Sequence, residues 1–242
     1  AACAKAKPTP TATKAAPTPT VVPTLPSPTP TKLPTVPTQT AAPTVTPSKV
    51  PVTPTATPVP TPRGTVRVAW ASFQSESLDP AKQQISGKPY YQPMFDPFIG
   101  AEPSGKPSFE LGVLESADPD ASGKTWTLTL KKGLHWHDGV EMTSQDTKFS
   151  MEYFARPVSK SVQGSYLKAN LDRVETVDAY TAKVYLKNAN FLFRDVLGNI
   201  EGDLVILPKH HFDKVGAENF DKNPLGSGPW KLVSRKIGEY IE

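Results

Sequence analysis

Apolar and polar residues alternate over several stretches in the second part of the chain, and this alternation predicts β-strands. In residues 125–131, Trp126, Leu128 and Leu130 fall on one face and threonines fall on the other. This is the clearest strand signal in the sequence. Two further alternating runs in residues 173–186 flank a short turn and predict a β-hairpin.

Two shorter stretches also predict strands. Residues 65–70 alternate between apolar and polar side chains directly after Gly64, and residues 203–207 form a short apolar run. A run of this length, bounded by turn residues, is typical of a buried strand. A glycine-rich turn at residues 224–229 follows.

A helix start is predicted at Thr143. Thr143 and Asp146 form the [ST]-x-x-[DE] pattern of a capping box, in which two side chains satisfy free amides of the first turn. Phe149 and Tyr153 follow four residues apart, so they share one face of the helix. This face is expected to be buried.

An aromatic stretch precedes these elements. Its apolar residues recur at spacings of three and four, which predicts one face of a helix, while Pro93 and Pro97 restrict it to short or distorted turns. Most of these side chains are expected in the core: Tyr90, Tyr91, Met94, Phe95 and Phe98. Together with the apolar run 191–197, these elements mix strands and helices without strict βαβ alternation. The sequence therefore predicts a mixed α/β (α+β) fold.

Composition divides the chain near Arg63. Residues 1–62 hold 17 of the 28 prolines and have no glycine, aromatic or acidic residue, so they cannot form a core. We expect a disordered, Pro/Thr-rich linker in polyproline II conformation, reaching on the order of 150 Å when extended. A PxxP ligand is the alternative interpretation, and O-glycosylation stays open. Residues 63–242 are predicted to form the folded domain.

The charge distribution argues against a nucleic-acid partner. Five lysines are the only charges of residues 1–62, which leaves 22 basic and 23 acidic side chains in the remainder. The folded part is therefore nearly neutral and shows no basic cluster interleaved with aromatic residues. The pI of about 9.0 comes from the linker.

The single cysteine, Cys3, has no partner for an intrachain disulfide. Ala1-Ala2-Cys3 resembles the end of a bacterial lipoprotein signal peptide, where small residues precede the cysteine that is lipidated. We therefore expect a lipid anchor at Cys3 and a sequence that starts at or near the processing site. The other interpretation is an incidental thiol. No stretch approaches the roughly 18 consecutive apolar residues of a spanning helix.

Candidate chemistry is sparse. His135 and His137 lie two apart, so on a strand they face the same way, as metal ligands sometimes do. A third ligand is not evident, and the adjacent pair His210 and His211 diverges on a helix. His137 and Asp138 lack a nucleophile in a Gly-x-Ser-x-Gly turn. We expect no metal, no cofactor and no catalytic residue.

Five motifs follow one another in a fixed order along the folded part: Leu78-Asp79-Pro80, Phe95-Asp96-Pro97-Phe98, Gly123-Lys-Thr-Trp-Thr-Leu-Thr-Leu130, Trp136-His-Asp-Gly139 with Ser144 to Ser150, and Pro224-Leu-Gly-Ser-Gly-Pro-Trp230. Their order resembles solute-binding protein family 5, the dipeptide, oligopeptide and nickel receptors of ABC importers. Consensus positions of the family are softened at four residues, which does not change the class: Lys132, Thr147, Ser227 and Trp230.

The resemblance implies a two-lobed, periplasmic-binding-protein-like fold of which residues 63–242 form most of the N-terminal lobe. It implies a protein that is not an enzyme, captures a peptide or similar solute, and delivers it to an ABC permease outside the cytoplasm. The motif glycines Gly226 and Gly228 are expected to supply backbone angles that a β-carbon disfavours. The segments implied to approach the ligand cleft give six candidate ligand-binding residues: Ser72, Phe73, Gln74, Gln83, Lys88 and Tyr166.

Family members usually have about twice this folded length, so the second lobe and the segment that completes the first are expected to be missing. The alternative function is therefore a nonbinding fragment or an anchored interaction module. Unpaired sheet edges and uncovered apolar faces favour aggregation, and residues 64–242 alone are predicted to be marginally stable.

Overall fold

The structure is a computed structural model that describes residues 64–69, 75–83, 87–198 and 204–242. Five of the sequence-based predictions lie wholly outside these residues. They are the lipid-attachment residue Cys3, the linker 1–62, and the ligand-binding residues Ser72, Phe73 and Gln74.

The described residues contain both helices and strands throughout. The helices are α1 (Lys88–Tyr91), α2 (Ser144–Phe154), α3 (Val162–Asn170), α4 (Phe193–Leu197) and α5 (Lys209–Lys222). The strands are β1 (Gly100–Ala101), β2 (Pro107–Ser108), β3 (Leu114–Pro119), β4 (Thr125–Leu130), β5 (Leu171–Thr176), β6 (Thr181–Leu186), β7 (Arg235–Lys236) and β8 (Tyr240–Ile241).

The main sheet is antiparallel and has the strand order β3-β4-β6-β5. The two clearest strand predictions from the sequence are confirmed. Strand β4 matches the alternating stretch at 125–131, and β5 and β6 form the hairpin predicted in 173–186. Trp126 lies opposite Val184 in the β4-β6 pair, and both are buried. The alternation therefore places one face of the sheet in the core.

Helix α2 begins at the predicted capping box. The backbone amide of Thr143 donates to Asp146 Oδ2 at 2.9 Å, which satisfies a donor that the first turn leaves free. Phe149 and Tyr153 lie with ring centroids 5.4 Å apart on the inner side of the helix. Tyr153 is buried, as predicted, and Phe149 is half-buried.

The aromatic stretch forms short turns, as the prolines predict. Helix α1 is a single turn, and a 3-10 turn at Gln92–Met94 continues it up to Phe95. Pro93 fills an early position of that turn, where no amide donor is needed. Of the five predicted core residues, four are buried and Tyr90 is half-buried.

The predicted strand at residues 65–70 is wrong over the described residues 65–69, which are irregular. Val66 is 75% exposed and Val68 is 63% exposed. Alternation supplies a strand with an apolar face, but a strand also needs a neighbouring backbone for its hydrogen bonds. In the described part of the chain, no strand pairs with these residues.

Over the described residues 204–207, the predicted strand at 203–207 is reduced to one bridge, between Val205 and Pro97. The amide of Ile206 donates to the carbonyl of Asp96 at 3.0 Å. Pro97 has no amide to continue a ladder, so the pairing stops there. The run from Leu204 to Leu207 is nevertheless fully buried, in agreement with its apolar composition.

Helix α5 packs against α2 through aromatic rings. The rings of Phe212 and Phe220, which flank a kink at Gly216, stack at 3.9 Å, and Phe212 lies 4.7 Å from the Tyr153 ring. These contacts make the core continuous from the main sheet to α5. Among the described helices, none has the length and apolar character that crossing a membrane requires.

Candidate functional site

Residues 75–83, which we call the anchor segment, follow the predicted ligand-binding residues 72–74 and end at a fourth one, Gln83. The segment carries Asp79, whose side chain is fully buried. Asp79 Oδ1 accepts the amide of Ala81 at 3.0 Å and so caps the 3-10 turn Pro80–Lys82. The motif Leu78-Asp79-Pro80 is therefore the start signal of a turn.

The second oxygen of Asp79 reaches helix α2. Tyr153 Oη donates to Asp79 Oδ2 at 2.5 Å, and Lys82 Nζ lies 3.6 Å from the same oxygen. A buried carboxylate needs such partners, because desolvation disfavours its charged form. Tyr153 and Lys82 supply them.

Two other elements hold the first half of the anchor segment. Asp221 Oδ1, on α5, accepts hydrogen bonds from Ser77 Oγ at 2.9 Å and from the amide of Leu78 at 2.6 Å. The carboxylate of Glu76 accepts the amide of Gly238, between β7 and β8, at 2.8 Å. The segment is thus tied to α2, α5 and the β7-β8 hairpin.

Gln83 ends the anchor segment and is 1% exposed. Its Nε2 donates to the carbonyl of Ser77 and to Tyr90 Oη, and its Oε1 accepts Ser75 Oγ at 2.8 Å. A β-carbon on Gly87 would lie 2.5 Å from Gln83 Oε1, so the Gln83 side chain would have to shift to admit it. The Gln83 amide is engaged within the protein, and its role toward a ligand stays a prediction.

The other two described candidates lie in different surroundings. Lys88 is half-buried at the start of α1, five residues after Gln83. Tyr166 is half-buried on α3, where its hydroxyl accepts Asn190 Nδ2 at 2.6 Å and its ring lies 6.1 Å from that of Phe193. Gln83 and Lys88 therefore lie in the same short part of the chain, whereas Tyr166 lies beside helix α4.

The glycine-rich motif packs against the motif Trp136–Gly139 and against Met94, the residue before Phe95. The amide of Gly228 donates to the carbonyl of Met94 at 3.1 Å, and the amide of His137 donates to the carbonyl of Gly226 at 2.9 Å. The expectation about backbone angles is wrong, because neither motif glycine has a positive φ. Gly226 is needed for close approach: a β-carbon there would lie 1.7 Å from Met94 O.

His137 and His210 have hydrogen-bonding side chains in this arrangement. His137 Nε2 lies 2.7 Å from the carbonyl oxygen of Gly228, and His210 Nε2 lies 2.9 Å from Asp138 Oδ2. His135 is exposed. Over the part of the chain that the structure describes, no group of three His, Cys, Asp or Glu side chains could hold a metal ion.

Burial shifts the pKa of two groups that hold the anchor segment in place, Asp79 and Tyr153. Burial raises the pKa of Asp79 above its usual value, although the Tyr153 hydrogen bond and the charge of Lys82 act in the opposite direction. Burial, reinforced by the charge of Asp79, raises the pKa of Tyr153 far above its usual value. Tyr153 is therefore a protonated donor at every physiological pH.

Two other carboxyls have opposite shifts. Burial raises the pKa of Asp146, against hydrogen bonds from the amides of Thr143 and Lys209. For Asp138 the largest single effect, burial, also acts upward, but hydrogen bonds from His210 and the amide of Val140 outweigh it and lower the pKa. The Asp146 shift therefore follows from burial, and the Asp138 shift follows from the hydrogen bonds that its carboxylate accepts.

Sequence patterns missed the partners of the anchor segment. Tyr153 is predicted only as a core residue of α2, since periodicity reports the ring and not its hydroxyl. Asp221 lies in a polar stretch of α5 that carries no motif. The one available signal was Asp79 itself, because an aspartate between Leu78 and Pro80 indicates a capped turn.

Comparison with known proteins identifies the family. The family described as bacterial extracellular solute-binding proteins, family 5 (middle), matches residues 108–242, which is more than half of the chain. The oligopeptide-binding protein AppA of Bacillus subtilis is 31% identical over 147 residues, covering 57% of this chain and 26% of AppA. The dipeptide-binding protein of Escherichia coli is 31% identical over 142 residues, covering 50% of this chain and 26% of the Escherichia coli protein.

A solved structure agrees with these relatives. The crystal structure of NikZ from Campylobacter jejuni, in complex with Ni(L-His), superposes with a TM-score of 0.59 at 26% identity, covering 68% of this chain and 32% of NikZ. The predicted mixed α/β fold of a two-lobed binding protein is confirmed. The chain spans about a quarter of the length of the two curated relatives. It belongs to the family 5 bacterial extracellular solute-binding proteins.

Proposed function

We propose that the chain is part of an extracytoplasmic receptor that captures peptides or similar small solutes and delivers them to an ABC permease. The family match over residues 108–242 carries this proposal. The names of the oligopeptide- and dipeptide-binding relatives point to the class of solute. Binding of this kind needs a shaped surface and a few oriented polar groups, and it needs no catalytic chemistry.

Within this receptor, the ligand is contacted by Ser72, Phe73 and Gln74 before the anchor segment and by Lys88 after it. The fixed geometry of the anchor segment supports the proposal, since a binding surface costs less entropy when it is pre-organised. Gln83 and Tyr166 were predicted as further contacts. Because Gln83 is buried and internally hydrogen-bonded, its contribution is to the shape of the surface.

The receptor is held at the outer face of the membrane by a lipid on Cys3, and residues 1–62 act as the spacer. The small residues before Cys3 and the Pro/Thr-rich composition support this part of the proposal. Metabolic labelling with a radioactive fatty acid tests it. Label is expected in the wild-type protein and lost in the Cys3→Ser variant, whereas label that persists in the variant would contradict the anchor.

A second candidate is an anchored module that contacts a partner protein. Exposed apolar side chains favour it, among them Val233 at 75% and Ile237 at 71% exposure. Uptake separates the two candidates. Deletion of the gene should abolish uptake of a labelled peptide pool and a wild-type copy should restore it, whereas unchanged uptake would favour the interaction module.

A further inference from the structure

The hydroxyl of Tyr153 connects helix α2 with the anchor segment. It donates to Asp79 Oδ2 at 2.5 Å, and both residues are buried. The Tyr153 ring lies 5.4 Å from the ring of Phe149 and 4.7 Å from that of Phe212, and the Arg156 guanidinium stacks 3.4 Å from its centroid. Packing on several sides therefore fixes where the hydroxyl lies.

From Asp79 the connection continues to the predicted ligand-binding stretch. Asp79 caps the turn Pro80–Lys82, and the amide of Gln83 closes that turn on the carbonyl of Pro80 at 3.4 Å. The Gln83 side chain then bonds Tyr90 Oη in helix α1, the helix that begins with Lys88. The capped turn and the two hydrogen bonds of Gln83 link Asp79 directly to helix α1. A shift of Asp79 therefore displaces Gln83 and α1.

A second contact holds the same turn from the loop after α2. The amide of Lys160 donates to the carbonyl of Ala81 at 2.8 Å. Helix α2 thus fixes one side of the turn through Tyr153, and the loop that follows α2 fixes the other. Two contacts from one structural unit determine both the position and the orientation of the turn.

The charge of Asp79 makes the connection stiff. The carboxylate is fully buried, with Lys82 Nζ at 3.6 Å and the Asp221 carboxylate near the same ammonium group at 3.9 Å. Moving Tyr153 away would leave a buried carboxylate short of a hydrogen bond, which is expensive in a dry environment. The network therefore favours one arrangement strongly over its alternatives.

We infer that Tyr153 and Asp79 are positioning residues for ligand binding: they set the place of Gln83 and Lys88 without touching the solute. The inference rests on the proposed receptor function. It assigns a role to two residues that the sequence marks only as a core tyrosine and as part of the motif Leu78-Asp79-Pro80. Binding affinity is therefore predicted to depend on a hydroxyl in helix α2.

The test compares two variants of α2 in the protein expressed from its complete reading frame. Tyr153→Phe removes the hydroxyl and keeps the ring, whereas Ser150→Ala removes a buried hydroxyl that bonds Asp146 O at 2.6 Å and the amide of Leu207 at 2.8 Å. Both variants lose stability, but only Tyr153→Phe breaks the connection to Asp79. Ser150→Ala is thus the matched control.

The probe is an equimolar pool of tri- to pentapeptides, from which captured peptides are identified by mass spectrometry and then titrated. Tyr153→Phe is expected to raise Kd about tenfold, the equivalent of one hydrogen bond to a charged group, and Ser150→Ala to leave it within about twofold. Equal affinities of wild type and Tyr153→Phe would overturn the inference. So would an equal loss in both variants.

Hydrogen exchange separates this inference from the receptor function. In Tyr153→Phe the amides of Ala81 and Gln83 are expected to exchange about tenfold faster, and in Ser150→Ala they are expected to stay at the wild-type rate. If exchange is faster in Tyr153→Phe but the wild-type protein captures no peptide, the receptor proposal is wrong, and the role of the network in ligand binding is wrong with it. If the wild-type protein captures peptide but exchange in Tyr153→Phe is unchanged, only the positioning role is wrong.

Discussion

The carboxylate of Asp146 accepts a hydrogen bond of 2.9 Å from the backbone amide of Lys209, the first residue of helix α5. Its other oxygen accepts the amide of Thr143, which precedes helix α2, also at 2.9 Å. One buried side chain therefore serves the starts of two helices that lie far apart in sequence. The capping box of α2 is at the same time a tertiary contact.

Replacing Asp146 by alanine is predicted to lower the free energy of unfolding by about 3 kcal/mol, because two partly buried amides lose a charged acceptor. Urea unfolding followed by circular dichroism measures the change. Glu218→Ala, an exposed substitution on α5, is the control and should stay within about 0.5 kcal/mol of wild type. Equal stability of the two variants would mean that Asp146 does not hold α5.

Gly226 is predicted to tolerate no side chain. An alanine β-carbon would lie 1.7 Å from Met94 O, so the glycine-rich turn or the 3-10 turn must move. We expect Gly226→Ala to cost about 3 kcal/mol. Gly198→Ala is the control, since its β-carbon would lie 3.5 Å from the Arg194 carbonyl oxygen and its φ is −75°. A Gly226→Ala protein with the wild-type melting temperature would refute the close approach.

The pH dependence of stability should report the buried Asp79. Its pKa is raised in the folded protein above the ordinary value of 3.8, so the folded state holds the proton more tightly than the unfolded state does. Stability contributed by this group is present below pH 3.8 and falls as the pH rises through the folded-state pKa. The carboxylate thus destabilises the fold at neutral pH relative to acid.

The Asp79→Asn variant isolates this effect. Asparagine keeps an acceptor for the amide of Ala81, and the Tyr153 hydroxyl can accept from the new amide nitrogen. As the pH rises from 3 to 7, the unfolding free energy of Asp79→Asn minus that of the wild type is predicted to increase. A difference that is independent of pH would show that Asp79 has the same pKa in both states.

Sequence patterns predicted the elements that are stabilised locally and missed those that depend on distant partners. Strand β4 and the β5-β6 hairpin follow from alternation, and the start of α2 follows from Thr143 and Asp146, because each signal and its effect lie within a few residues. Residues 65–69 show the same alternation and form no strand. Whether a strand forms depends on a neighbour that the local sequence does not contain.

The candidate site was predicted in outline only. Asp79 was marked only as part of the motif Leu78-Asp79-Pro80. Its contact with Tyr153 spans 74 residues, and its segment is held by Asp221, 143 residues from Leu78. No local pattern encodes such pairs. Gly226 was predicted to matter for its backbone angles, whereas the structure shows that it matters for its close approach to Met94. A glycine in a sequence indicates only backbone freedom, because the approach of a distant segment is not visible in the local sequence.

The exposed apolar side chains lead to a prediction about residues 64–242 expressed alone. Val66, Val68, Val233 and Ile237 are each more than 60% exposed, so this unit is predicted to self-associate at micromolar concentration. Size-exclusion chromatography with light scattering measures the mass. Replacing Val233 and Ile237 by serine should reduce association, and a monodisperse monomer with cooperative melting would contradict the prediction.

Isothermal titration of the protein from its complete reading frame with the peptide pool tests the central claim most directly. The account predicts heat of binding and, in the same samples, a change in the fluorescence of the buried Trp136 or the exposed Trp230 as a ligand is enclosed. A protein that melts cooperatively but shows neither heat nor fluorescence change with any peptide of the pool would contradict it.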